Sequence, residues 1–82
     1  MSAYIATFHT HLSAMRTQRT LTQAGYTAAL APVPRRLSSS CGTCVRYTAT
    51  EEDPLLSLMD RDVESVVLCR DDGGFRMLYE NE

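Results

Sequence analysis

Val63-Glu64-Ser65-Val66-Val67-Leu68-Cys69-Arg70, then Asp71-Asp72-Gly73-Gly74, then Phe75-Arg76-Met77-Leu78-Tyr79-Glu80, reads as two β-compatible runs joined by a turn. The first run is the most β-branched stretch of the chain, and Asp72-Gly73 after it is a strong hairpin signal, because a tight two-residue turn needs positive φ. A two-residue loop pairs Asp71 with Gly74. In that register Leu68 faces Met77 and Val66 faces Tyr79 on one side, while Val67 and Cys69 point to the other with Arg76 and Leu78. The hairpin commits this part of the chain to antiparallel sheet.

Upstream, the same reasoning yields alternating elements. Tyr4, Ile5 and Phe8 form a short apolar run over Ala3 to Phe8, which predicts a strand. Thr10 then serves as N-cap for a helix over about His11 to Ala24, with Leu12, Ala14, Met15, Leu21 and Ala24 as its apolar stripe and Gly25 as its left-handed terminator. Tyr26 to Ala31 predicts a second strand, ending where Pro32 has no N–H to give a ladder. Val45-Arg46-Tyr47-Thr48 alternates again and predicts a third, with Cys44 at its entrance. Asp53 as N-cap and Pro54 at the first helical position open a second helix, in which Leu55, Leu58 and Met59 share a face up to Arg61 or Asp62. The order βαββαββ predicts an α+β fold, a ferredoxin-like two-layer sandwich (βαββαβ) with an additional C-terminal strand. The 82 residues form a single domain, with only a thin core.

Chemistry concentrates between the second and third strands, in Ala31-Pro32-Val33-Pro34-Arg35-Arg36-Leu37-Ser38-Ser39-Ser40-Cys41-Gly42-Thr43-Cys44. Pro32 and Pro34 stiffen the exit from the strand. The spacing of Cys41 and Cys44 lets both sulfurs converge on one disulfide, one metal ion or one transferred sulfur atom, and Gly42 removes a side chain that would crowd them. Arg35 and Arg36, folded back, favour thiolate over thiol, with Ser40 and the loop N–H groups as further support for an anion. Cys41, nearer the arginines and beside Gly42, is the expected nucleophile.

Pro-Val-Pro-Arg, a serine turn and Cys-Gly, together with Tyr4-Ile5-Ala6-Thr7-Phe8-His9-Thr10, Ser13-Ala14-Met15 and Ala24-Gly25-Tyr26, resemble the small bacterial domains described as selenium/sulfur carrier protein-like. The resemblance covers roughly residues 3 to 70 and leaves the segment from Asp71 to Glu82 as an extension. It implies a carrier rather than a stand-alone enzyme, with Cys41 accepting sulfur or selenium as a transient persulfide-type adduct. Donor and acceptor proteins, such as a cysteine desulfurase, would be its partners. Cys44 departs from the family pattern, where an apolar residue is expected, and is read as a resolving or accessory thiol.

The same thiols admit a thiol-disulfide redox protein, with Cys44 resolving a disulfide at Cys41. They also admit a small metal-binding or regulatory module in which Cys41, Cys44, Cys69, His9 and His11 share a zinc ion. Against these stands the bland reading of buried, inert cysteines, which fits Cys69 in its apolar strand best. A formal charge of −2 gives no general attraction to nucleic acid or anionic membrane. All eight basic residues besides the histidines are arginines, which excludes Schiff-base chemistry. No apolar run approaches the ~18 residues of a membrane span, and the opening residues lack a signal-peptide pattern, so a cytoplasmic protein is expected.

Overall fold

The computed structural model describes residues 2–50, 59 and 61–81, and among them forms one helix and five strands. They run β1 (Ser2–Phe8), α1 (His11–Gln23), β2 (Ala28–Pro32), β3 (Thr43–Ala49), β4 (Val63–Cys69) and β5 (Phe75–Glu80). Every pairing is antiparallel, in the sheet order β2-β3-β1-β4-β5. The α+β class is as expected. The additional C-terminal strand is also present, as β5 beyond β4, but the ferredoxin-like assignment is not reached, because the helix expected after Asp53 lies outside the described residues.

The central position of β1 follows from its composition. Residues 4 to 8 are all buried, since alternate side chains meet cover on both faces of the sheet. On one face Tyr4, Ala6 and Phe8 join Val45, Tyr47, Ala49, Val63 and Val66 beneath Ala14 and Leu21 of α1. On the other, Ile5, Cys44 and Val67 lie with Cys69 and Phe75 under Val33 and Leu37, so the segment between β2 and β3 acts as a strap over this face.

α1 begins as read: the Thr10 hydroxyl accepts from Ser13 N at 3.2 Å. It ends in a Schellman arrangement, with Gly25 at φ 96° donating to Thr22 O and Tyr26 donating to Leu21 O. That cap uses the Tyr26 N–H, which is why β2 starts at Ala28 rather than Tyr26. The buried stripe differs from expectation. Ser13, Ala14, Thr17 and Leu21 face the sheet, whereas Leu12 and Met15 are exposed. Small residues let the helix approach closely, and Asp62 accepts from the Thr10 and Ser13 hydroxyls at 3.1 and 3.0 Å, which fixes that rotation. Gln18 adds a bond from Nε2 to Ala28 O at 3.1 Å.

Pro32 lies inside β2, paired with Thr43, because β2 is an edge strand and its outward side needs no N–H donor. The C-terminal hairpin also turns differently. Arg70, not Asp71, pairs with Gly74, through Arg70 N to Gly74 O at 2.9 Å, so three residues form the loop, with Gly73 at φ 85°. The Asp72 carboxylate accepts from Gly74 N at 2.8 Å, a local bond that a two-residue turn does not offer. The register moves by one: Leu68 faces Arg76, Val67 faces Met77 and Cys69 faces Phe75. A bulge at Leu78 moves it back, so Val66 meets Tyr79 as expected.

A second bulge lies at the site. β1 pairs Thr7 with Ser65 and Phe8 with Val63, leaving Glu64 as the extra residue of β4. Strict alternation from Val66 would turn Glu64 towards α1. The bulge gives that position to Val63 and directs the carboxylate to the strap instead.

Candidate functional site

The strap leaves β2 at Pro32, is closed at its stem by Val33 N to Gly42 O at 3.1 Å, and turns through Leu37 N to Pro34 O at 3.0 Å. Gly42 sits at φ 75°, a conformation that strains any residue with a Cβ, so the glycine in Cys-Gly-Thr-Cys is a backbone requirement. Leu37 and Val33 anchor the strap by apolar contact. Glu64 anchors it by charge: its carboxylate accepts from Ser39 Oγ at 3.0 Å, Ser40 N at 3.1 Å and Ser40 Oγ at 2.7 Å, while Ser39 Oγ also reaches Phe8 O at 3.2 Å. His9 Nδ1 lies 3.3 Å from the same carboxylate and 3.5 Å from Ser40 Oγ. The serine loop is therefore tied down at its middle by Glu64.

Burial raises the pKa of the Glu64 carboxyl, but the Ser40 and Ser39 bonds and the nearby His9 outweigh it, and the net result lies below the ordinary value. A depressed folded-state pKa contributes stability above the unfolded value of about 4.3 that is lost as pH falls through the folded value.

The three cysteines are free thiols in different settings. Cys41 is half-buried, and its Sγ donates to Thr43 O at 3.3 Å. Cys44 is fully buried within β3, not at its entrance, because β3 begins at Thr43. Its Sγ lies 3.6 Å from Pro32 O. Cys69 is half-buried on the same sheet face, where the sequence reading had it as core filler. Burial pushes both the Cys44 and Cys69 thiols up, against the opposing charge of Arg46. Arg46 on β3 is thus a cation acting on these two thiols. Arg35 and Arg36 are exposed, and Arg36 extends towards the β4–β5 turn, with Nη1 3.4 Å from Gly73 O.

The alternative metal ligands are dispersed. His9 pairs with Glu64, and His11 Nδ1 lies 3.2 Å from Thr43 Oγ1. Among the described residues no group of three or more His, Cys, Asp or Glu side chains converges on a metal-sized space. Sequence reasoning missed Glu64 and Arg46. The available signal for Glu64 was a carboxylate inside the most β-branched strand of the chain.

A test of these settings is the alkaline limb of stability. Cys44, Cys69 and Tyr47 all have raised folded-state pKa values, chiefly through burial, so their contribution is fully present below the unfolded values of about 8.5 for Cys and about 10 for Tyr. It is lost as pH rises through the folded values. Urea midpoints measured from pH 7 to 10 are expected to fall beyond about pH 8.5, less steeply in Cys44→Ala. An equal slope in that variant would remove Cys44 from the account.

Fold and site together define a small α+β domain that presents a half-buried cysteine on an anchored strap, with a second cysteine buried behind it. The family described as "Putative Se/S carrier protein-like" matches residues 3–63, and the chain belongs to that family. It is also 27% identical over 78 residues to "Uncharacterized protein YtiA" of Escherichia coli (strain K12), covering 95% of this chain and 91% of that protein. No solved structure matches the chain. No helix among the described residues is long and apolar enough to cross a membrane.

Proposed function

We propose that the protein carries sulfur or selenium between partner enzymes in the cytoplasm, with Cys41 as the acceptor. The observation that supports this most directly is the contrast between the two thiols of Cys-Gly-Thr-Cys in a member of this family: Cys41 is accessible on the strap, and Cys44 is sealed within β3. A thiolate at Cys41 attacks the terminal sulfur of a donor persulfide. The donor's S–S bond breaks, the donor cysteine leaves as thiolate, and Cys41 holds the sulfur as its own persulfide, with no net oxidation. An acceptor nucleophile then takes that sulfur and returns Cys41 to thiolate. Cys44 is an accessory thiol in this scheme. Gly42 gives the adduct backbone freedom, Arg35 and Arg36, exposed on the strap, would have to turn to it, and Ser40 would support it only on leaving Glu64; a cysteine desulfurase is a fitting donor.

Incubation with a cysteine desulfurase and cysteine, followed by intact mass measurement, is expected to add one sulfur atom to wild type and to Cys44→Ser, and none to Cys41→Ser. Loading of Cys41→Ser equal to wild type, or no loading of wild type, would end this reading. Selenium delivered as a selenopersulfide donor is expected to label the same residue.

A further inference from the structure

We propose that Glu64 is a positioning residue for Cys41, holding the thiol in a resting state against the Thr43 carbonyl. The inference rests on Cys41 being the working thiol.

Cys41 is fixed because both of its flanks are fixed. Downstream, only Gly42 separates it from Thr43, which is paired with Pro32 and lies 3.2 Å from the His11 ring. Upstream it adjoins Ser40, whose N–H and hydroxyl both end on the Glu64 carboxylate at 3.1 and 2.7 Å. The bulge in β4 exists at this one residue, and without it the carboxylate would point to the opposite face. Hydrogen bonds to a charged acceptor are the stronger kind, so the clamp decides where the strap sits.

In that clamped position Cys41 Sγ donates to Thr43 O at 3.3 Å. Only the thiol can donate. A thiolate there would face a carbonyl oxygen, so the sulfur has to leave this position before it can attack. Release of Ser40 frees one flank of Cys41, and Gly42 supplies the backbone freedom to swing the sulfur away from the carbonyl. Glu64 is reachable for such a release, since it lines an open groove of about 190 Å³ with Arg36, Met77, Glu80 and Asn81. The titratable group in contact with it is His9 from the β1–α1 turn, while Glu80 from β5 and Arg36 from the strap line the same groove.

The test is the rate of iodoacetamide alkylation, read separately at Cys41 and Cys44 by peptide mass analysis. Glu64→Ala is expected to raise the Cys41 rate at pH 7 by about three-fold or more, Glu64→Gln by less, and Glu64→Asp is expected to stay near wild type because it keeps the charge. The Cys44 rate serves as the internal control and is expected to stay unchanged. If Glu64→Ala folds poorly, the Gln and Asp pair carries the comparison. An unchanged or slower Cys41 overturns the proposal. So does a parallel rise at both thiols, which would mark a general loosening of the fold. Alkylation needs no sulfur donor, so failure of the carrier reading in the loading experiment is seen independently of this result.

Discussion

Phe8→Ala is expected to cost about 3–5 kcal/mol, a large loss for a chain of this size. Phe8 is fully buried, sits in the central strand and fills the space between Val63, Val45 and the helix residues Ala14 and Leu21. Apart from Leu21 those neighbours are small or belong to the sheet, so little can collapse into the cavity that a lost ring leaves. A domain of this length has a total stability of about 4–12 kcal/mol, so the substitution removes a large share of it. Thermal unfolding is expected to move down by roughly 12 °C or more. The effect also reaches the site, because the Phe8 carbonyl accepts from Ser39 Oγ and the next residue, His9, faces Glu64. A fall of less than about 1 kcal/mol in a urea titration would mean that the core on this face is looser than its burial indicates.

Ser65→Ala is expected to destabilise by about 1–3 kcal/mol, although it deletes a single oxygen. Ser65 Oγ and Thr7 Oγ1 lie 2.6 Å apart on neighbouring strands, and Thr7 is fully buried. Deleting the Ser65 hydroxyl takes from fully buried Thr7 its cross-strand partner. Thr7→Val alone has a similar cost by the same logic. The double variant Thr7→Val with Ser65→Ala is expected to recover much of the loss, because an apolar pair of similar shape has nothing left to satisfy. Additive losses in that cycle would show that the two hydroxyls do not act as a pair. Ser65 adjoins Glu64 in the bulge, so Cys41 alkylation in these variants also reports whether local strand geometry reaches the strap.

These two substitutions concern positions that sequence reasoning placed unequally well. Phe8 was legible as a strand residue because its short apolar run needs no partner to be recognised. Thr7 and Ser65 were not legible, because two hydroxyls 58 positions apart become a pair only through the register of β1 on β4. The helix gives the same contrast. Thr10 and Gly25 fix its ends by local hydrogen bonds, and both were readable. Which side of it is buried depended on Asp62 and on the room left by the sheet, so Leu12 and Met15 lie outside where the apolar pattern put them inside.

By itself the sequence determined the α+β class, the cap and terminator of α1, the hairpin and the thiol-bearing segment. Each of these rests on interactions within a few residues of chain: side chains capping a helix end, glycines accepting positive φ, and alternation along a strand. It also carried the motif by which the family was recognised. The tertiary structure alone decided what anchors that segment and which thiol is sealed. Strict alternation turns Glu64 towards the helix, and only pairing of β4 with β1 creates the bulge that turns it to Ser39 and Ser40. Cys44 is buried because β3 begins at Thr43 and the strap closes over that face, contacts made by residues that local propensity does not relate. Register and burial are sums over distant pairings, and a sequence read locally contains the partners without the pairing.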